Sequence, residues 1–273
     1  MSTWQYIDTH AHLNLAQFDE DRAAVAARCE AAGVAMINVG TRKPTSTLAV
    51  DLAHEYDSMW AIVGVHPLNV VTADPDDPGA APETEFEYDW YKALAADRAV
   101  VGIGECGFDY FHNSDATYEV QREMFRAQIA LANELGKPLM LHLRNSKDGG
   151  GRNAYDDALE ILKSEAAVPG NAHFFAGTKE QMHAFFDLGF TVSFTGVVTF
   201  ASMYKELVAE APLAMMHAET DCPYVAPVPY RGQRCEPWMV TANIERIAAI
   251  KKESVDAVAA ALVQNAHRLY QLS

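Results

Sequence analysis

The feature that most constrains this chain is a repeated alternation in which short apolar runs of strand length are separated by longer segments of helical period. The runs are Tyr6 to Thr9, Ala35 to Val39, Ala61 to Val65, Val100 to Gly104, Pro138 to Leu143, Ala172 to Phe175, Thr191 to Phe194 and Ala214 to Ala218. Strand and helix signals in alternation point to parallel βα units. Eight such units in 273 residues suit a closed barrel, whereas a doubly wound open sheet usually stops at fewer. The expected fold is therefore α/β, a (β/α)8 TIM barrel, as a single domain over residues 1–273. The clearest helix spans Tyr118 to Leu135: Val120, Met124, Leu131 and Leu135 recur at helical spacing, and Gly136-Lys137-Pro138 ends the run. A final helix is expected from Val255 to Leu269.

Two segments depart from the repeat. Thr72 to Tyr88 carries Asp-Pro-Asp-Asp-Pro-Gly, a composition of turns and a mobile surface loop. Asn145 to Asn153, with Gly149-Gly150-Gly151, follows a strand end, where a barrel places either a lid over its active face or a plain surface loop.

Charge limits the mode of binding. With 37 Asp and Glu against 21 Lys and Arg the formal net charge is −16, which repels phosphate backbones and anionic lipid. A broad nucleic-acid-coating surface is excluded, but a phosphodiester can still bind in one cleft if cations sit there. Cys29, Cys106, Cys222 and Cys235 are too few and too scattered for a disulfide framework, so a reducing compartment is expected. No basic region with an apolar run opens the chain and no stretch reaches membrane-span length, so the expectation is a soluble cytoplasmic protein without membrane contact.

The chemistry-bearing residues gather at strand ends. His10 and His12 close the first run, and alternation along an extended segment sends both imidazoles to one side, where they can share a metal. A lone His-x-His says little, but Glu105, His142, His173 and Asp221 follow or close the fourth, fifth, sixth and eighth runs, on the rim where barrel enzymes build their sites. His54, His112, His183 and His267, by contrast, are scattered over helices and loops. Six ligand-capable side chains exceed what one tetrahedral ion needs, so a two-metal site is expected. Imidazole with carboxylate suits Zn, Mn, Fe or Co, and hydrolysis is the natural reaction of such a centre. Asp221 could bind an ion and also take the proton of the attacking water.

His66, in Gly-Val-His-Pro, and Arg144, two residues after His142, are expected to contact substrate, Arg144 through bidentate phosphate binding. Arg231 and Arg234, after the last strand, would add positive charge for an anionic group. Gly102-Ile-Gly-Glu-Cys-Gly107 matches G-x-G-x-x-G, yet no helix start follows its third glycine, so these glycines are read as letting the backbone bend around Glu105.

In order, Asp8-Thr-His-Ala-His-Leu, Gly64-Val-His-Pro, Gly104-Glu-Cys-Gly-Phe-Asp, His142-Leu-Arg, His173-Phe-Phe-Ala-Gly-Thr, Glu219-Thr-Asp-Cys-Pro-Tyr and Arg231-Gly-Gln-Arg-Cys-Glu-Pro resemble the TatD family of metal-dependent deoxyribonucleases, within the amidohydrolase-like barrels. The resemblance runs from about Tyr6 to Leu269. It implies a barrel binding two divalent ions (Mg, Mn or Zn), with His10, His12, Glu105, His142, His173 and Asp221 as ligands, Glu105 bridging, and Asp221 and Glu105 catalytic in phosphodiester cleavage. Cys106 and Phe108 stand where the family usually has aliphatic residues, and Cys235 where asparagine is common; these departures bear on substrate preference more than on metal binding. The expected activity is a monomeric DNase trimming single-stranded or frayed DNA ends, because a barrel mouth admits a strand terminus more easily than a duplex. The alternative is a small-molecule amidohydrolase, lactonase or phosphoesterase using the same dinuclear site. An idle barrel serving as a binding subunit would lack ligands, and none of the six is missing.

Overall fold

The computed structural model describes residues 4–71, 81–147 and 151–272. Strands β1 (Tyr6–Ala11), β2 (Val34–Val39), β3 (Met59–Val63), β4 (Val100–Asp109), β5 (Leu139–Arg144), β6 (Gly170–Ala172), β7 (Thr191–Phe194) and β8 (Met216–Ala218) form one sheet in chain order, each parallel to the next. Helices α1 (Arg22–Ala31), α2 (Lys43–Glu55), α3 (Tyr88–Ala95), α4 (Tyr118–Leu135), α5 (Ala154–Glu165), α6 (Lys179–Asp187) and α7 (Tyr204–Glu210) join successive strands. Two helices, α8 (Val240–Lys251) and α9 (Val255–Tyr270), follow β8. This is the TIM barrel that the alternation of strand and helix signals predicts.

The seam between β8 and β1 is closed by individual bonds rather than by a ladder. Thr9 Oγ1 donates to the Ala218 carbonyl at 3.3 Å. Beyond the strands, Asp221 N–H donates to the His10 carbonyl at 2.9 Å and His12 N–H to the Cys222 carbonyl at 3.1 Å. Asp8 accepts from the N–H and the hydroxyl of Thr220, at 3.0 and 2.5 Å. Burial pushes the Asp8 carboxyl up to about 8 despite these bonds.

The N-terminal end of the barrel is plugged. Val263, Ala266, Leu269 and Tyr270 of α9 share one apolar cluster with the strand residues Ile7, Ile37, Ile62 and Met140. The opposite, C-terminal end is left open for chemistry, as barrels of this kind require.

Several boundaries differ from the sequence reading for identifiable reasons. β4 does not stop at Gly104: it continues to pair with β5 as far as Asp109 opposite Arg144, so Glu105 lies inside a strand and not after one. β6 ends at Ala172, which puts His173 just beyond it, and Phe174 takes a positive φ of 44°. The buried face of α4 centres on Gln121, Met124, Phe125, Gln128, Ile129, Leu131 and Ala132, while Val120 and Leu135 lie at its edge. Residues 72–80 of the expected mobile loop lie outside the described residues, but its distal part is pinned and Tyr88 already begins α3. There Glu83 accepts from Lys43 N–H at 2.8 Å and from the Tyr91 hydroxyl at 2.7 Å. In the glycine-rich segment, residues 148–150 lie outside the described residues; at its flanks, Asn145 accepts from Ala154 N–H at 2.7 Å and Asn153 caps α5. Among the described residues no helix is long and apolar enough to cross a membrane.

Candidate metal centre

At the C-terminal mouth the six expected donors converge. His10 Nε2 and His12 Nε2 are 3.0 Å apart, so the alternation along β1 does bring both rings to one point. His10 Nε2 lies 3.3 Å from Glu105 Oε2, and His12 Nε2 lies 3.4 Å from Asp221 Oδ1. The other oxygen of Glu105, Oε1, is 2.8 Å from both His142 Nδ1 and His173 Nε2. Glu105 thus stands between two donor sets, one facing each carboxylate oxygen.

Local backbone irregularities aim these side chains. The register of β1 with β2 shifts between Asp8 and Ala11, and that of β4 with β5 shifts between Ile103 and Cys106, bracketing His10 and Glu105. Shifts of this kind re-aim side chains next to active sites. Gly104 has φ +148°, and a Cβ there would meet the Met140 carbonyl oxygen at 2.5 Å, so the residue before Glu105 must be glycine. The whole Gly102 to Gly107 run lies within β4, with no helix at its third glycine, as no dinucleotide fingerprint would have it. Asp221 sits at φ 57°, a left-handed conformation that Asp tolerates better than most residues.

The outward nitrogens of two imidazoles are hydrogen-bonded and that of a third faces a carboxylate, which decides what the inward ones present. His12 Nδ1 donates to the Val39 carbonyl at 2.8 Å, and His142 Nε2 donates to Asp109 Oδ2 at 3.1 Å. His173 Nδ1 faces Glu219 Oε1 at 3.4 Å. Glu219 is itself held by Ser193 Oγ and by Phe174 N–H, each donating at 2.6 Å. Neutral imidazoles held this way turn bare nitrogens toward Glu105 and Asp221, so the centre is a buried cluster of acceptors facing one another. Such a cluster is unfavourable unless positive charge sits among the acceptors. The donor types, imidazole with carboxylate, fit divalent metal ions there.

The electrostatics agree. Burial alone would raise Glu105, but the imidazoles of His173, His10 and His66 outweigh it and hold the carboxyl well below its usual range. Burial would likewise lower His173, yet the Glu105 and Glu219 carboxylates hold it well above an ordinary imidazole, and His142 is raised against burial by Asp109 and Glu105. A field that attracts a proton to these rings attracts a metal cation equally. Asp221 is lowered against burial by the hydrogen bond from His12.

His66 behaves differently. Its Nδ1 accepts from Leu68 N–H at 3.0 Å, so a neutral ring carries its proton on Nε2, which points to Glu105 Oε1 at 3.5 Å. Burial, with His142 nearby, pushes His66 down to about 3, so it stays neutral near pH 7. It presents a donor into the site, not a lone pair.

These groups floor a cavity of about 450 Å³ whose wall includes Leu68, His112, Arg144, Tyr204 and Tyr224. Arg144 is thus at the cavity, as its position after His142 predicts. Arg231 lies over the Phe200 ring, 4.2 Å from its centroid, and donates to the Ala226 carbonyl at 2.7 Å, outside the cavity wall. Arg234 is not brought to the site. Its guanidinium makes a bidentate pair with Asp21 at 2.8 and 2.7 Å and also reaches Glu236 at 3.2 Å, so its donors are engaged by the protein. Sequence reading missed Asp109, Glu219 and above all His112, whose Nδ1 donates to Asp109 at 2.9 Å and whose ring lines the cavity. The available signal was Asp109 at the end of the Glu-Cys-Gly-Phe-Asp block, three residues before that histidine.

The model of the TatD related DNase family matches residues 7–271. The chain belongs to that family. It is 38% identical over 271 residues to "Uncharacterized metal-dependent hydrolase YabD" of Bacillus subtilis (strain 168), covering 97% of this chain and 99% of the relative. It is 32% identical over 276 residues to "3'-5' ssDNA/RNA exonuclease TatD" of Pantoea ananatis (strain LMG 20103), covering 97% of this chain and 99% of that one. Among solved structures it resembles YJJV, a TatD homolog from Escherichia coli K12, with a TM-score of 0.83, 25% identity and complete coverage of both chains. This TatD-family chain is accordingly a metal-dependent hydrolase of ester bonds.

Proposed function

We propose that this chain is a DNase that removes nucleotides from single-stranded or frayed DNA ends, using two divalent ions, Mg, Mn or Zn, held by His10, His12, Glu105, His142, His173 and Asp221. The observation that carries the reading is the position of Glu105, with Oε2 3.3 Å from His10 and Oε1 2.8 Å from His142 and His173, suited to bridging two ions. A relative named as a 3'-5' ssDNA/RNA exonuclease supports the substrate class. The donors lie in a cavity of about 450 Å³ at the barrel mouth, which supports access by a strand end over an intact duplex. All six donors come from one chain, which supports a monomer, and four buried free thiols support a reducing cytoplasm.

Bound divalent ions supply Lewis acidity at the phosphoryl oxygens and lower the pKa of the attacking water. Asp221, held as a carboxylate, accepts the water's proton at Oδ1 or Oδ2. His66 donates its Nε2–H to a non-bridging oxygen of the scissile phosphate, and Arg144 faces the bound strand from the cavity wall.

The test measures metal content per chain and cleavage of labelled single- and double-stranded oligonucleotides with Mg, Mn or Zn. Two ions per chain with single strands cut preferentially is the expected result. Glu105→Gln should lose both metal and turnover while its circular dichroism stays that of the wild type. Metal-loaded protein that leaves DNA intact yet hydrolyses small esters or amides would overturn the assignment.

A further inference from the structure

On a chain of net charge −16, two cations share one aromatic ring beside the metal centre. The Arg144 guanidinium carbon lies 3.9 Å from the Phe111 ring centroid and Lys147 Nζ lies 4.4 Å from the same centroid. Among the described residues neither cation forms an ion pair with a carboxylate and Arg144 makes no side-chain hydrogen bond, whereas nearby Arg152 pairs with Asp157 at 2.7 Å and Arg126 with Glu165 at 2.9 Å. Two like charges on one ring lie well inside the ~10 Å screening length and repel each other. Attraction to the ring offsets part of that repulsion. An anion between them would remove it.

The position of the pair says which anion. Arg144 follows His142 by two residues on β5, on the same side of the strand and about 6.6 Å further out at the rise of an extended chain. That step is comparable to the distance between neighbouring phosphates of one nucleic-acid strand. His112 stands next to Phe111 with its ring at 4.9 Å. Its Nδ1 is tied to Asp109, so Nε2 is left for a ligand, and the side chain is 40% exposed. Asp109, the carboxylate in contact with this group, is fully buried and is bonded to His112 and His142 rather than to Arg144 or Lys147.

We infer that Arg144 and Lys147, held over Phe111 beside His112, form a subsite for the phosphate adjacent to the scissile one in a single-stranded nucleic acid. The inference rests on the nuclease reading above and adds what that reading leaves open: how an acidic protein grips a polyanion beyond the reacting bond. Arg144 offers a planar fork to two phosphate oxygens and Lys147 a mobile point charge.

The test uses Arg144→Gln, Lys147→Gln and the double variant, which keep side-chain length, with melting temperature and circular dichroism as checks on folding. Binding of a fluorescein-labelled oligothymidylate is followed by anisotropy under EDTA, so that nothing is cleaved, across a salt series. The double variant should bind at least tenfold more weakly, and its plot of log affinity against log salt should be shallower by about 0.7, the increment for one single-strand phosphate contact. With Mn added, the ratio of kcat/KM on the oligothymidylate to that on bis(p-nitrophenyl) phosphate, which has no second phosphate, should fall at least tenfold. Wild-type protein that binds and cuts the oligothymidylate, with folded variants matching it in affinity, slope and ratio, overturns the subsite alone. Wild-type protein that neither binds nor cuts it overturns the nuclease reading and the subsite together.

Discussion

Asp109 Oδ2 accepts from His142 Nε2 at 3.1 Å, and this bond decides which nitrogen His142 turns toward Glu105. The same oxygen takes a second imidazole proton from His112 at 2.9 Å, while Oδ1 accepts from the N–H groups of Phe111 and His112. Burial alone would raise this carboxyl, but the His142 and His112 bonds hold it well below its usual range. In Asp109→Asn, an amide N–H₂ placed at Oδ2 would meet two donors, so His142 loses its fixed tautomer. Metal affinity should fall about 10- to 100-fold with the fold retained, the usual cost of removing such an outer partner. Metal titration by calorimetry on wild type and variant checks it; equal affinities would show that Asp109 does not orient His142.

Two glutamines of α4 serve the site through main-chain groups. Gln128 accepts from Val65 N–H at 2.9 Å and donates to the Val65 carbonyl at 3.0 Å, securing the residue before His66. Gln121 treats Asp109 the same way, at 2.8 and 3.2 Å. Gln128→Leu leaves two buried backbone groups without partners and should cost about 2 to 6 kcal/mol of stability, at roughly 1 to 3 kcal/mol per group. Urea denaturation measures this, and a loss below the error of the midpoint would contradict it.

Acid should destabilise the barrel from its floor. His217 is fully buried, with Nε2 3.0 Å from Thr191 Oγ1, and burial pushes it down to about 3. Unfolded, it titrates near 6.5, so between that value and about 3 the unfolded chain holds a proton that the native chain lacks. Stability from this group is therefore complete above pH 6.5 and falls by about 1.4 kcal/mol per pH unit as pH drops through the window. Denaturation curves at pH 7 and pH 5 should show His217→Gln losing less between the two conditions than wild type; identical losses would remove His217 from the account.

Metal should stabilise the native chain because the donors meet only when it is folded. At a free-ion concentration of 100 times Kd the gain is about 2.7 kcal/mol per site. It should shrink as pH falls below neutral, since protons compete for His142 and His173, both raised by the carboxylates around them. Thermal melts with Mn or Zn, and again after EDTA, give the measurement. A melting point indifferent to both additions would argue against ions at these donors.

The βα alternation, the extent of α4 and the rim position of the six donors are legible in the sequence because each depends on residues near one another in the chain. A strand or helix period repeats within a few residues, and a barrel places every strand's C-terminal end at one mouth. What the sequence leaves undetermined rests on contacts between distant segments. That Arg234 is consumed by Asp21, that Asp109 orients His142, and that Glu83 pins the segment before α3 are pairings across many residues. The register shifts that aim His10 and Glu105 likewise arise where β1 and β4 meet their neighbours. The sequence by itself determined the set of chemical groups and the rim that holds them. Only the closed barrel decided which nitrogen faces inward and which cation stays free, because hydrogen-bond partners and counter-charges are chosen by proximity in space.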